Sequence, residues 1–275
     1  MTIYSDWGDW LPNAVSAADP DGLELWYLGC NGFVLKAADG TTVFIDPYLG
    51  TGDPPRTIRM VPVPFAPEDV DAADAVLATH EHTDHTHGPS QAPIVTGTDA
   101  TFFGPSASVE IADGWVDEYG VDDGDIVEVT EGDTVEVGSL SIHVEPANDP
   151  DAEHPVSYVI EHESGTFFHG GDARPSEAFE DIGARYDIDL AVAAFGSAGM
   201  IPDKRTREPK HTKWYSDGNM AAEAANQLRT DRLLPTHWDI WKGLTADPSS
   251  LRDHVRGFDH PRTLEVLEIG DKTSL

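Results

Sequence analysis

Cysteine and cations are what this chain most lacks. Its one cysteine, Cys30, excludes an intrachain disulfide and predicts a reducing compartment. Lysine and arginine number 17 against 50 aspartates and glutamates, a formal net charge of −33, so the extended basic surface that nucleic acid requires is missing. No apolar stretch approaches the length of a membrane span. The opening residues, MTIYSDWGDWLPNAV, carry neither the basic start nor the apolar run of a secretory signal. A cytoplasmic protein with no membrane and no nucleic-acid partner is the expectation.

The acids that are present in such excess are dispersed. Asp122-Asp123-Gly124-Asp125 and the stretch from Glu128 to Glu136 alternate with apolar residues, as the solvated outer faces of strands do. Self-repulsion at this charge destabilises a compact chain at low ionic strength, and screening over about 3 Å at molar salt relieves it. The composition therefore predicts the cytoplasm of a halophile. A basic protein partner would call for one concentrated acidic patch, which the sequence does not show.

At 275 residues the chain is long enough to bury a substantial core. Strand-like segments fall at Leu23 to Leu28, Phe33 to Lys36 and Thr42 to Ile45, the last two joined by a turn at Asp39-Gly40. From Asp46 to Pro67, six prolines and two glycines break any periodicity, which predicts a long surface loop that binds or covers something. The run Asp74 to Ala78 reads as a short buried strand. A strand around Ile94 to Thr96 and a helix from about Asp99 to Ile111 are expected next, then three strand candidates between Ile126 and Val144.

The second half repeats the plan. Strands are expected at Pro155 to Glu161, Thr166 to His169, Ile188 to Ala194 and Leu233 to Pro235, with a last one through Leu267. Helices are expected near Ser176 to Tyr186, Asp217 to Arg229 and Pro248 to Gly257, and a loop precedes Asp217. This is an α/β (α+β) pattern of two βα halves whose sheets pack face to face with helices outside. No linker composition separates them, so residues 1–275 read as one domain.

The chemistry lies directly after Ala75-Val76-Leu77-Ala78, in THEHTDHTH, which holds His80, His82, His85 and His87, four of the twelve histidines, together with Asp84. Leaving a strand two residues apart, His80 and His82 turn both imidazoles to one side, and Asp84 and His85 are free to face another. Imidazole and carboxylate are ligands that divalent transition metals select, so their density here implies one ion, and their number a second. A solvated histidine-rich loop is the bland alternative, and HxHxDH at the mouth of an apolar strand argues against it. The helical HExxH of zincins needs histidine where Asp84 stands.

An ion there needs ligands from other strand ends. Asp172 follows Thr166-Phe167-Phe168 in HGGD, where two glycines let the backbone approach a crowded centre; an ordinary turn aspartate is its alternative. His237 follows Leu233-Leu234-Pro235 in PTHWD, its alternative being a core histidine beside Trp238. Asp149 follows the strand ending near Val144, and Asn148 or His154 would fill the same place. His169 and Asp239 stand beside these residues and either orient them, move a proton or simply pack.

The order HxHxDH, isolated acid, GD and late histidine resembles the metallo-β-lactamase superfamily of dinuclear hydrolases. Longer stretches (WGDWL, LWYLGCNGFVLK, FIDPYLGTG, ADAVLATHEHTDH, FFGP, FFHGGD, FGS and PTHWDIW) resemble its L-ascorbate-6-phosphate lactonase branch over most of the chain. The resemblance implies a four-layer αββα sandwich with two divalent metals at one edge between the sheets. It implies one metal site from His80, His82 and Asp149, a second from Asp84, His85 and His237, and Asp172 bridging them. It also implies opening of a small sugar-acid lactone by a metal-activated hydroxide, with Asp84, Asp172 and His169 as candidate catalytic residues. Manganese is the metal the branch suggests, and the ligand types suit zinc or iron as well. The chain departs from the branch between Asp149 and Val156, where it is shorter, and in the loop beyond Gly52.

Five of the 17 cations, Lys204, Arg205, Arg207, Lys210 and Lys213, fall within ten positions beside the FGS loop, with His211 among them. In so acidic a chain a basic loop attracts an anion. A phosphate on a small-molecule substrate is the obvious candidate, with Lys213, Arg207 and Asp239 as substrate-binding residues; pairing with the acidic coat is the alternative. Two other functions use such a scaffold. A nucleic-acid phosphodiesterase needs more basic surface than one short loop, and a non-catalytic binding protein would be expected to have lost ligands. Nothing in the sequence excludes a homo-oligomer.

Overall fold

A computed structural model describes residues 2–275. Helix α1 (Trp10–Ser16) precedes the meander β1 (Leu23–Gly29), β2 (Gly32–Ala37) and β3 (Thr42–Ile45). Then follow β4 (Ala75–Leu77), α2 (Gly88–Thr98), β5 (Thr101–Gly104), α3 (Ser106–Tyr119), β6 (Ile126–Glu128), β7 (Thr134–Val137) and β8 (Leu140–Pro146). The chain continues through β9 (Val156–His162), β10 (Gly165–His169), α4 (Glu177–Arg185), β11 (Leu190–Ala194), β12 (Gly199–Pro202) and β13 (Pro209–Thr212). It ends with α5 (Gly218–Gln227), β14 (Arg232–Thr236), α6 (Leu251–Val255), β15 (Thr263–Leu264) and β16 (Lys272–Ser274).

Two seven-stranded sheets result, ordered β16-β1-β2-β3-β4-β5-β6 and β15-β14-β11-β10-β9-β8-β7. Each is antiparallel on one side and parallel on the other, with the change at β3 in the first sheet and at β10 in the second. Their inner faces meet through Leu25, Tyr27, Phe33 and Ile45 on one side and Ile142, Tyr158, Phe167 and Leu234 on the other. Fully burying side chains of this size contributes roughly 1.5–3 kcal/mol each before entropic costs. The outer face of the first sheet packs Val34, Phe44 and Val76 against Leu11, Val95 and Trp115 of the helices. The second does the same with Val159, Phe168 and Ala191 against Phe179, Ile182 and Leu228. Helix, sheet, sheet, helix is the expected αββα order.

Three expectations are corrected. Ile94 to Thr96 lies inside α2, and the following helix begins at Ser106, after the strand β5. The β-branched run suggested a strand, but Ile94 and Val95 are buried between sheet and helix, and that packing outweighs local propensity. The loop before Asp217 contains the hairpin β12–β13, which displays the basic residues. The last strand is β16, which pairs antiparallel with β1 and so brings the chain's final residues back to its first sheet. No helix among the described residues is long and apolar enough to cross a membrane.

Candidate metal centre

Every candidate ligand leaves the end of a strand. His80 to His85 follow β4, Asp149 follows β8, Asp172 follows β10 and His237 follows β14, so one rim of the sandwich collects them. The long loop after β3 borders the same rim, where Tyr48 packs edge-on against His87 and Trp241. Arg59 fixes that loop by donating to the carbonyls of Tyr48, Val61 and Pro62. Gly171 is indispensable between β10 and Asp172: its φ is +57°, and a Cβ there would stand 2.6 Å from Thr79 Oγ1. Cys30, Asp46 and His237 also adopt left-handed backbone, with φ of 59°, 45° and 62°, a cost that concentrates at this rim.

The donors form three overlapping groups, of which two share Asp172 and the third is Cys30, Asp84 and His237. In one of the two that share Asp172, His80 Nε2 lies 3.0 Å from His82 Nδ1. Asp149 Oδ2 is 3.6 and 3.9 Å from those two nitrogens. In the other, His85 Nε2 and His237 Nε2 are 3.3 Å apart. Asp172 Oδ1 is 3.4 and 3.0 Å from them. Asp84 Oδ2 stands 4.0 Å from His85 Nε2 and accepts a hydrogen bond from Trp241 Nε1. Two donor atoms about 2.1 Å from one ion are separated by about 3.0 Å at a right angle and about 3.4 Å at the tetrahedral angle; the histidine pairs and Asp172 keep that spacing, and the Asp149 and Asp84 oxygens stand wider, at 3.6 to 4.0 Å. Asp149 Oδ2 and Asp172 Oδ1 are buried and accept no well-formed hydrogen bond. Bare buried carboxylate oxygens facing imidazole nitrogens suit a divalent cation.

The electrostatics agree. Burial, with His85 adjacent, pushes the His80 pKa well down. Burial beside Asp172 raises the Asp149 carboxyl to about 6. Burial opposes charge on His85, but Asp172 and Asp46 outweigh it and push its pKa well up. Burial likewise opposes the Asp172 carboxylate, yet His237 and His85 hold its pKa well below the usual range. The carboxylates thus favour positive charge at the centre.

The remaining predicted residues divide. Of the three residues considered for the contested place, only Asp149 lies among the donors: Asn148 donates to the carbonyls of Arg174 and Pro175, and His154 is exposed. His169 does not reach the donors. Its Nε2 donates to Asn31 O at 2.8 Å and its Nδ1 accepts from Gly171 N, so it holds the turn that carries Asp172. Asp239 makes no side-chain hydrogen bond to a donor; burial raises its pKa. Lys213 pairs with Asp217 at 2.7 Å and Arg207 with Asp53 at 3.3 Å, both on the surface.

Sequence reasoning missed the residues that aim the ligands. Buried Asp46 accepts from Thr79 N, Thr79 Oγ1 and His85 Nδ1, the last at 2.7 Å. It thereby turns Nε2 of His85 toward Asp172. Thr79 Oγ1 is also 3.0 Å from His80 Nδ1, and the carbonyl of Asp151 is 3.1 Å from His82 Nε2. Asp46 was findable as a lone acid ending the apolar strand β3. Replacing it with alanine is expected to weaken metal binding about 10–100-fold, a range usual for residues that orient a ligand. Titration of the metal-free variant with zinc would measure it, and unchanged affinity would show His85 needs no such partner.

Residues 41–238 match the beta-lactamase superfamily domain, and the donor order and layering agree. The chain belongs to the metallo-β-lactamase superfamily. Over 298 aligned positions it is 29% identical to the probable L-ascorbate-6-phosphate lactonase UlaG of Escherichia fergusonii, covering 92% of this chain and 80% of that one. The metallo hydrolase Igni18 of Ignicoccus hospitalis superposes with a TM-score of 0.66 at 20% identity, covering 92% of this chain and 98% of that one. CmlA of Streptomyces venezuelae, a diiron β-hydroxylase, also gives 0.66, at 17% identity over 93% of this chain and 55% of that one. One fold therefore carries different reactions, and function must be argued from the site.

Proposed function

We propose that this superfamily hydrolase is a lactonase with two divalent ions, manganese, zinc or iron, that opens a small phosphorylated sugar-acid lactone. The observation that carries the reading is Asp172, placed in two donor groups at once. His80, His82 and Asp149 would hold one ion, Asp84, His85 and His237 the other, and Asp172 both. Such ions, when bound, acidify water and polarise an ester carbonyl. The chain's own residues orient this apparatus: Asp46 fixes His85, Thr79 faces His80, and Trp241 anchors Asp84.

The phosphorylated substrate is supported by the name of the Escherichia relative and by cations near the rim. Arg174 follows Asp172 by two residues, its Nε is buried without a partner, and its Nη2 reaches the carbonyls of Lys213 and Trp214. Lys213 and Arg207 are proposed to exchange their carboxylate partners for phosphate. Removing both charges as Lys213→Ala and Arg207→Ala is expected to raise KM for a phosphorylated lactone about fivefold at fixed salt, roughly 1 kcal/mol, with kcat unchanged. An unaltered KM would leave them as surface ion pairs.

Three assays test the function: a chromogenic lactone, a chromogenic phosphodiester, and metal-stripped enzyme with and without remetallation. Lactone turnover that vanishes on stripping and returns on reloading is expected. Preference for the diester would overturn the lactonase, and inactivity on both substrates after reloading would favour a binding protein.

A further inference from the structure

Helix α1 packs on the outer face of the first sheet without filling the space beneath it. A cavity of about 160 Å3 lies there, walled by Leu11 and Val15 of the helix, Val34 and Phe44 of β2 and β3, and Phe65 and Val70 of the stretch between β3 and β4. None of these six side chains is more than 9% exposed, so the walls are both apolar and internal. Protein interiors leave few spaces larger than a water molecule, and an apolar cavity of about 150 Å3 takes a benzene-sized guest in preference to water. No lining residue belongs to the metal centre.

The polar groups of the wall are few and gathered at one end, which sets the chemistry of the guest. Among the described residues Lys36 is the one cation that lines the cavity, and its Nζ donates to the carbonyls of Val15 and Ser16 at 2.8 Å each. An ammonium has one donor more than these two bonds use. Thr42 Oγ1, on the same wall, already donates to the carbonyl of Gly40. An anion is a poor guest, because the helix carbonyls already face Lys36, Asp71 lines the cavity at an exposed position, and the chain carries a net charge of −33.

We infer that this cavity is a binding site for an uncharged molecule with a single aromatic or similarly sized ring and one oxygen acceptor. The ring lies between α1 and the sheet, and the oxygen accepts from Lys36 Nζ. Such a guest also touches the approach to the metal rim. Phe65 belongs to the loop that borders the rim, and Phe44 precedes by two residues Asp46, which aims His85.

Acetophenone is the probe, with toluene as the ring without the oxygen and benzoate as the ring with a charge. In backbone amide spectra of the wild-type protein, acetophenone is expected to shift Val15, Val34 and Phe44 saturably, and toluene and benzoate to bind about tenfold more weakly or less. Lys36→Met is expected to bring acetophenone down to the level of toluene and to leave toluene unchanged. Val34→Phe fills the cavity and is expected to abolish the shifts, and Leu11→Phe fills it from the helix side should the first variant fail to fold. Absence of saturable shifts up to the solubility of acetophenone, or shifts that persist in the filled variants, would overturn the site. Benzoate binding as tightly as acetophenone would overturn the uncharged class, and undiminished acetophenone binding in Lys36→Met would overturn the part given to Lys36.

Discussion

Asparagine in place of Asp172 is expected to lower lactone turnover by about 10³-fold or more while the fold persists. The substitution is nearly isosteric, so the Gly170-Gly171 turn and the surrounding sheets keep their packing. What changes is charge. His85 Nε2 and His237 Nε2 both lie within 3.4 Å of Asp172 Oδ1, and the carboxylate also belongs to the group formed by His80, His82 and Asp149. A neutral amide offers one weak oxygen to these groups, and its NH2 opposes any cation there. Kinetics and elemental analysis on the same preparation would separate lost metal from misplaced metal. A variant that keeps both full metal content and wild-type kcat would refute a shared role for Asp172.

Removing metal from the wild type should be felt across the whole fold. A ligand present at a thousand times its dissociation constant stabilises the native state by about 4 kcal/mol, and at roughly 2–4 °C per kcal/mol chelation should lower Tm by about 10 °C. The difference should depend on pH in a definite direction. Asp149 has a raised pKa of about 6, so the folded metal-free chain binds its proton more tightly than the unfolded chain does. Ionising Asp149 therefore costs stability as pH rises from the ordinary carboxyl range through about 6, and a bound cation removes that cost. The gap in Tm between loaded and stripped protein should widen above pH 6 and shrink below it. Thermal melts with and without chelator from pH 5 to 8 would show this, and a gap that is flat with pH would exclude Asp149 as a ligand.

Several features were legible in the residues alone because short-range geometry fixes them. HxHxDH behind an apolar strand announces metal chemistry whatever surrounds it, and the glycines of HGGD announce a close approach, which Gly171 makes against Thr79. The alternation of β-branched strands with helices was enough for two sheets in four layers. The misreading of Ile94 to Thr96 has a simple cause: local β-propensity is worth less than burial between a sheet and a helix, and burial depends on partners far away in the chain.

The composition and linear order of this chain determined that metal ligands are present, which strand ends they leave and that the surface is acidic. Tertiary structure decided which side chains meet. It chose Asp149 over Asn148 and His154, turned His169 to the backbone of the HGGD turn, recruited Asp46 to aim His85, and set Cys30 beside His237. The reason is that a strand's sequence fixes where its chain exits, whereas the direction of each side chain at that exit is set by hydrogen bonds and packing from strands in the opposite sheet.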